Sequence, residues 1–455
     1  MPNGNSDKIV SESTIDKSGS KTIVAAAFWS FLLDQYGSAA FIFITPFIAP
    51  QFYPSGNFFV SILVVYAAYG SQLIVKPIGA ALWGVKADRI GRKRILVYST
   101  LGISLLFAAI GAFPTYKQVG IVAPLLLELD SIGQGLITGA LTASTHSMGF
   151  EHVREKYRGL LGGIVGSAAH ASAIIGSVFF TFLALAVGAP AIAATWWRFY
   201  FGVGIIGVIL PIMIHFKVKE SALFVEVKEK GLAVTHPIRY LFAKANNLRK
   251  NFFQAFAAAS LWGVFIAGYG PLIPTYVFTT TKIPHGDIGE IVLAVQAGSM
   301  CMTLVGGTIS QKLGRRNTMI LGSFLVFVYA YAFFSLGQVG SNLFSALGWA
   351  ALIGVLQGVG GGSFIVFMAE RFPTQVRGTG MSISNSLGQT VVGIFAILVT
   401  ATVAMGVKFP TVVIAAAIVL GIVTLIFSIL APESKGTIAK EEQQIVGKVA
   451  DSVPK

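Results

Sequence analysis

Apolar residues in this chain come in runs of about 20, each ended by a short polar turn, and that is the length a helix needs to cross a bilayer. Cutting the sequence at its turns predicts roughly twelve such helices. In the first half they cover 23–49, 58–85, 95–113, 120–148, 159–187 and 196–216; in the second, 252–278, 288–311, 318–336, 344–368, 378–405 and 411–430. The only long interruption is 217–250, which is basic, contains Pro237 and opens on the amphipathic stretch K-E-S-A-L-F-V-E-V-K-E-K. The expected division is a tail at 1–21, a six-helix bundle at 22–216, a linker at 217–251, a second bundle at 252–431 and a closing tail at 432–455.

Composition agrees and sets the orientation. At 54% hydrophobic and 11% charged, 455 residues are too apolar for a soluble globule. A net charge of +14 would suggest nucleic acid in a soluble protein; here topology explains it, and no nucleic-acid partner is expected. Of the 33 Lys and Arg, roughly 28 fall on one side of the membrane, leaving Lys117, Lys282, Lys408, Arg198 and the intramembrane Lys76. That side is predicted to be cytoplasmic, and an even number of spans brings both termini to it. The polar start of the chain has no apolar core and does not read as a secretory signal. Cys301 is the single cysteine, which excludes an intrachain disulfide and a cysteine-based metal site. With no phosphate-binding loop and no convincing metal spacing, neither a cofactor nor a metal nor an ATP-driven step is expected.

Charged turns recur at an offset of about 223 residues, roughly half the chain. From Gly84 the sequence reads G-V-K-A-D-R-I-G-R-K-R, with Asp88, Arg89, Gly91 and Arg92; from Gly307 it reads G-T-I-S-Q-K-L-G-R-R, with Arg315, and with Gln311 where a perfect repeat has an acid. No helix carries such charge through lipid, so both turns belong in water. A second duplicated pair follows the fourth and tenth runs: Glu151 with Arg158, and Glu370 with Arg377.

These motifs resemble the signature loops of the major facilitator superfamily, and the resemblance extends over nearly the whole chain. It implies an all-α membrane protein of twelve transmembrane helices in two pseudo-symmetric six-helix bundles. It also implies that Glu151 pairs with Arg92 and Glu370 with Arg315, pairs that break and re-form as the bundles rock. By the same resemblance Asp88 sits at the start of the eleventh helix, near Arg377, and latches the cytoplasmic side. A carboxylate at a helix N-terminus is favoured by about 0.3–1 kcal/mol, so Gln311, uncharged, should make the weaker latch. The plainer alternative is that these charges only anchor loops at the headgroups.

Further matches narrow the branch. Lys76-Pro77-Ile78-Gly79, Trp197-Arg198, Glu220-Ser221 with Phe224, and Pro432-Glu433-Ser434-Lys435-Gly436 resemble elements of the metabolite:proton symporters, the sugar-porter-like group. The fifth run has no proline, unlike the kinked fifth helix of drug antiporters, which favours uptake over export. The resemblance thus implies a transporter in the plasma membrane, not an enzyme, importing a small polar organic solute with protons and acting as a monomer in the lipid bilayer. A passive facilitator or an exporter is the nearest alternative; a membrane-embedded sensor or enzyme is remote.

An ionisable group in mid-membrane costs at least about 2.5–3.5 kcal/mol, so each needs a partner or a job. Asp34 lies roughly 18 Å from the cytoplasmic start of the first helix, near the midplane. With Tyr36 it resembles the acid-plus-aromatic element of symporters and is the leading candidate for proton coupling; the alternatives are a structural partner of Lys76 or a backbone cap. Glu128 and Asp130 are further coupling candidates, about 200° apart on a helical wheel, so one should face the cavity and the other the outer headgroups. An arginine that many relatives carry in the fourth helix is replaced here by Leu125, which removes a clamp for carboxylate substrates. Lys76 remains as a substrate contact or gate residue. Trp262, Tyr269, Gln296, Gln357, Asn385 and Gln389 offer a substrate pocket of amides and rings, or glue between helices. His146 and His170 offer a proton relay or hydrogen bonds across an interface.

Overall fold

The computed structural model describes residues 17–54, 58–218, 220, 222–229, 234–243, 248–265, 273, 276–277, 280–284 and 287–436. These residues are helical wherever regular, with no strand among them. The first bundle comprises α1 (Lys17–Phe52), α2 (Phe58–Ile90), α3 (Arg92–Ala112), α4 (Val122–His152), α5 (Arg158–Ala191) and α6 (Ile192–Lys217). The second comprises α7 (Leu248–Gly263), α8 (Ile288–Leu313), α9 (Arg315–Leu336), α10 (Leu343–Ala369), α11 (Arg377–Ala404) and α12 (Phe409–Leu430). Among the described residues seven helices are long and apolar enough to cross a membrane by length and composition alone.

Several helices outrun the apolar runs that predicted them. Helix α2 continues past the predicted end at 85 to Ile90, carrying Asp88 and Arg89 with it, because backbone hydrogen bonding does not stop at the membrane surface. From α5 to α6 the chain does not leave the helical path: Gly188, at φ 78°, breaks the regular geometry near the end of α5, and a π-helical turn at Ile192–Trp196 opens α6. The linker carries two short helices, Ala222–Glu229 and Pro237–Phe242. The predicted seventh run passes into 266–272, outside the described residues, and Tyr269 with it.

Within each bundle, glycine lets backbones touch. A methyl group on Gly79 or Gly139 would collide with the facing backbone of α4 or α2, and one on Gly306, Gly354 or Gly362 would do the same between α8 and α10. Lipid tails are as apolar as leucine, so helices gain by such close van der Waals approach and not by expelling water. Between bundles, α2 lies along α11 and α5 along α8.

Two residues expected at a substrate pocket instead sit inside the bundles. Trp262 is fully buried, its ring laid on Gly322 of α9 and Gly360 of α10, with Phe265 edge-on at 5.8 Å. Tyr36 is buried among Phe107 and Tyr200, ring centroids 5.5 and 5.7 Å away. In both cases a large flat ring takes the site that small or aromatic neighbours leave for it.

The bed under Trp262 gives a stability test. Gly360→Ala should lower the thermal midpoint in detergent, at a cost of roughly 1–3 kcal/mol for overpacking. Gly348→Ala, on the same helix with nothing within 4 Å of the added methyl, should be neutral or slightly stabilising. Tryptophan fluorescence during thermal unfolding reads both.

Candidate functional site: a cluster of capped helix ends and an intramembrane polar track

At one end of the molecule four helix N-termini are each met by a side-chain oxygen. Asp88, buried at the end of α2, accepts from Gly378 N at 3.2 Å, Thr379 N at 2.8 Å and Thr379 Oγ1 at 2.7 Å, all at the start of α11 in the other bundle. In the corresponding place Gln311 of α8 accepts from Gly159 N of α5 at 3.1 Å. Glu220 accepts from Arg92 N and Lys93 N at the start of α3, at 3.1 and 3.2 Å. Glu433 accepts from Arg315 N and Arg316 N at the start of α9, at 2.9 and 3.2 Å. First-turn N–H groups have no partner within their own helix, and an oxygen there satisfies them while meeting the positive end of the dipole.

Gly91 and Gly314 make the last two caps possible. Both turn at positive φ, 112° and 93°, and a side chain on either would strike the capping carboxylate of Glu220 or Glu433. Sequence reading noted both acids only as motif residues. Their shared role has a faint signal: each is the first acid after the last helix of its bundle.

The arginines lie underneath. Arg315, fully buried, meets Glu370 with two nitrogens, Nη2 to Oε1 at 3.0 Å and Nε to Oε2 at 3.3 Å, and also donates to Gln311 Oε1 at 3.0 Å. Ser434 Oγ donates to the same Glu370 at 2.7 Å. Burial pushes the Glu370 carboxyl above its ordinary range, while Arg315 and Ser434 pull against that. Arg92, equally buried, reaches across the bundles to Thr374 O at 2.7 Å and lies 3.5 Å from Asp88. The side chain of Glu151, expected beside Arg92, lies outside the described residues. Arg158 acts electrostatically on Glu370 and Arg377 on Arg92, so both buried arginines belong to the cluster. Arg89 is exposed and donates to Thr235 O of the linker. Gly84 presses on the backbone of Thr379.

Deeper in the membrane two further bonds join the bundles. Pro77 has no N–H for the carbonyl of Leu73 one turn back, and Thr390 Oγ1 of α11 donates to that carbonyl at 2.9 Å. On the opposite seam His170 of α5 bonds Gln296 of α8, Nδ1 to Oε1 at 2.9 Å. Gln357 binds inside its own bundle: Ser299 donates to its Oε1 at 3.1 Å, and its Nε2 donates to Phe265 O at 2.9 Å. Val264 and Phe265 lie in a π-helical stretch, where the regular bonding shifts. Asn385 and Gln389 share a stripe of α11 between Gly388, which packs on α7, and Thr390, which faces α2.

The acids of the first bundle divide. Asp34, 5% exposed at the middle of α1, accepts from Gln35 Nε2 at 3.0 Å, and the charge of Lys76, buried in α2, acts on it. Asp130 accepts from Gln134 Nε2 at 2.6 Å, and Gln134 in turn faces α1 at Gly37. Further along α4, Thr138, Thr145 and His146 are buried, His146 edge-on to Phe31 of α1 at 5.0 Å. A polar track thus runs along the α1–α4 contact. Glu128 is not on it; it lies in an outer cleft near Tyr53.

A family model for the Major Facilitator Superfamily matches residues 27–397 and 267–450. The chain is 28% identical over 372 residues to the inner membrane metabolite transport protein YhjE of Escherichia coli (strain K12), covering 80% of this chain and 81% of that one. It is 25% identical over 382 residues to the citrate-proton symporter of Klebsiella pneumoniae, with 80% and 81% covered. Among solved structures, the proton:xylose symporter XylE of E. coli, bound to 6-bromo-6-deoxy-D-glucose, superposes with a TM-score of 0.70 at 17% identity, covering 94% of this chain and 99% of that one. This likeness is one of fold: twelve transmembrane helices in two bundles.

The unequal latches make opposite predictions. Asp88→Asn removes a carboxylate from the start of α11 and should raise the population of molecules open at this end roughly two- to fivefold. Gln311→Glu adds one at the start of α5 and should lower it. Spin labels at the exposed positions 86 and 312, with Cys301 replaced, report the distance between bundles by pulsed electron resonance.

Proposed function

The chain belongs to the Major Facilitator Superfamily and is a multi-pass membrane transporter of the metabolite type; from that premise we propose that it imports a small polar organic solute together with protons, by alternating access. Asp34 carries the reading. A carboxyl group at the centre of α1, within reach of the Lys76 charge and beside the polar face of α4, is placed to take a proton on one side and release it on the other. Lys76 answers the negative charge of Asp34 when the proton is gone. Asp130 and Gln134 continue the track toward the outer end of α4.

The solute faces the two bundles together. Asn385 and Gln389 supply amides from α11, and Gln296 becomes available wherever its bond to His170 parts. The arginine cluster closes the cytoplasmic mouth, so this arrangement corresponds to loading from outside. The charge asymmetry of the loops supports a plasma-membrane location with both termini in the cytoplasm. Two relatives whose names state proton coupling support the choice of symport over passive flow.

Proteoliposomes test it. Purified protein should accumulate a transported solute only under an inward proton gradient. Asp34→Asn should abolish accumulation, lowering it at least about tenfold, while solute exchange at equal pH persists. Accumulation that ignores the gradient, or that survives Asp34→Asn, overturns symport in favour of facilitation.

A further inference from the structure

Glu128 is the acid that the solute path leaves aside. It stands six residues into α4, about 9 Å from the helix end opposite the arginine-rich turns, which puts it near the edge of the hydrocarbon. Among the described residues no hydrogen bond or salt bridge reaches it. It lines a cleft of about 340 Å³ with Tyr53, Val64, Ala68, Ile121 and Leu125. A second cleft, of about 250 Å³, shares Tyr53, Val64 and Ile121 and adds Ser61 and Tyr116.

The contacts of α4 determine where this cleft opens. Gln134 faces α1, Ile137 meets Gly102 of α3, and Gly135 and Gly139 meet α2. The stripe left between α2 and α3 carries Ile121, Leu125 and Leu129, 66%, 54% and 64% exposed. Beside it α2 exposes Ile74, Ile78 and Leu82. Surfaces this apolar on a membrane-spanning helix face lipid, so the cleft opens sideways to acyl chains and away from the bundle interface.

The occupant must therefore suit apolar walls along its length and a carboxylate at its head. Lys117, exposed in the turn Tyr116–Val119 at the same end, adds a cation that suits a phosphate. We propose that the cleft binds a phospholipid with a primary-amine headgroup, its ammonium on Glu128, its phosphate toward Lys117 and a chain along Val64, Ile121 and Leu125. Three donors on the ammonium match an acid that no described residue hydrogen-bonds, whereas a quaternary amine offers none and an anionic headgroup is repelled.

Native mass spectrometry of the full-length protein in detergent tests this with equimolar phosphatidylethanolamine, phosphatidylcholine and phosphatidylglycerol of identical chains. The ethanolamine lipid should be retained about three- to tenfold over the others, and Glu128→Gln should bring it down to their level. Val64→Trp, which fills the groove and leaves the acid in place, should release it as well. Equal retention of the three lipids overturns the proposal, as does a preference for either other headgroup or an ethanolamine preference that survives Glu128→Gln.

Discussion

The closed end of this molecule depends on one interaction used four times: a side-chain oxygen set against the first N–H groups of a helix. Two of the four, from Glu220 and Glu433, hold the ends of α3 and α9 within their own bundles. The other two, from Asp88 and Gln311, cross between bundles. Each of the three carboxylates contributes only about 0.3–1 kcal/mol where water can reach it, and more when partly buried, and the neutral Gln311 less. A set of contacts this modest suits the cycle proposed above, in which this end closes and reopens. A fully desolvated ion pair would be the poorer choice for the moving seam, because separating two buried charges costs several kcal/mol. The buried pairs seen among the described residues, Arg315 with Glu370 and Arg92 with Asp88, each lie within a single bundle.

Much of the fold is legible in the sequence because lipid leaves few options. A backbone in hydrocarbon must satisfy itself, so long apolar runs become helices, and charges collect where helices leave the membrane. The repeat of Gly91-Arg92 in Gly314-Arg315 places the turns at one end, and of the duplicated acids Glu370 meets the arginine expected for it, Arg315. Helix ends are less legible: α2 runs on through Asp88 because a helix needs no lipid to continue.

The interior chemistry is harder to read, and for a specific reason. An aromatic ring or an amide in an apolar helix looks the same whether it faces a cavity or a neighbour. For Trp262 the deciding residues are Gly322 and Gly360, distant in the chain. For Gln357 it is the carbonyl of Phe265 in a π-helical stretch. For Thr390 it is Pro77, whose missing N–H leaves the Leu73 carbonyl to be met from the other bundle. In each case the polar or aromatic group answers a gap or a backbone irregularity elsewhere, which no local pattern announces.

The two seams between the bundles are fastened unequally. Along α2 and α11 a carboxylate gathers three donors, and a threonine takes up the carbonyl that proline leaves. Along α5 and α8 an amide accepts one backbone N–H, and a histidine meets a glutamine. Packing offsets this difference: Gly159 and Gly163 of α5 meet Gly307 of α8 where no methyl group fits, so the seam with fewer hydrogen bonds has the closer backbone contact. On the import cycle proposed above, the two edges would then be held shut by different means, one by polar bonds and the other by fit.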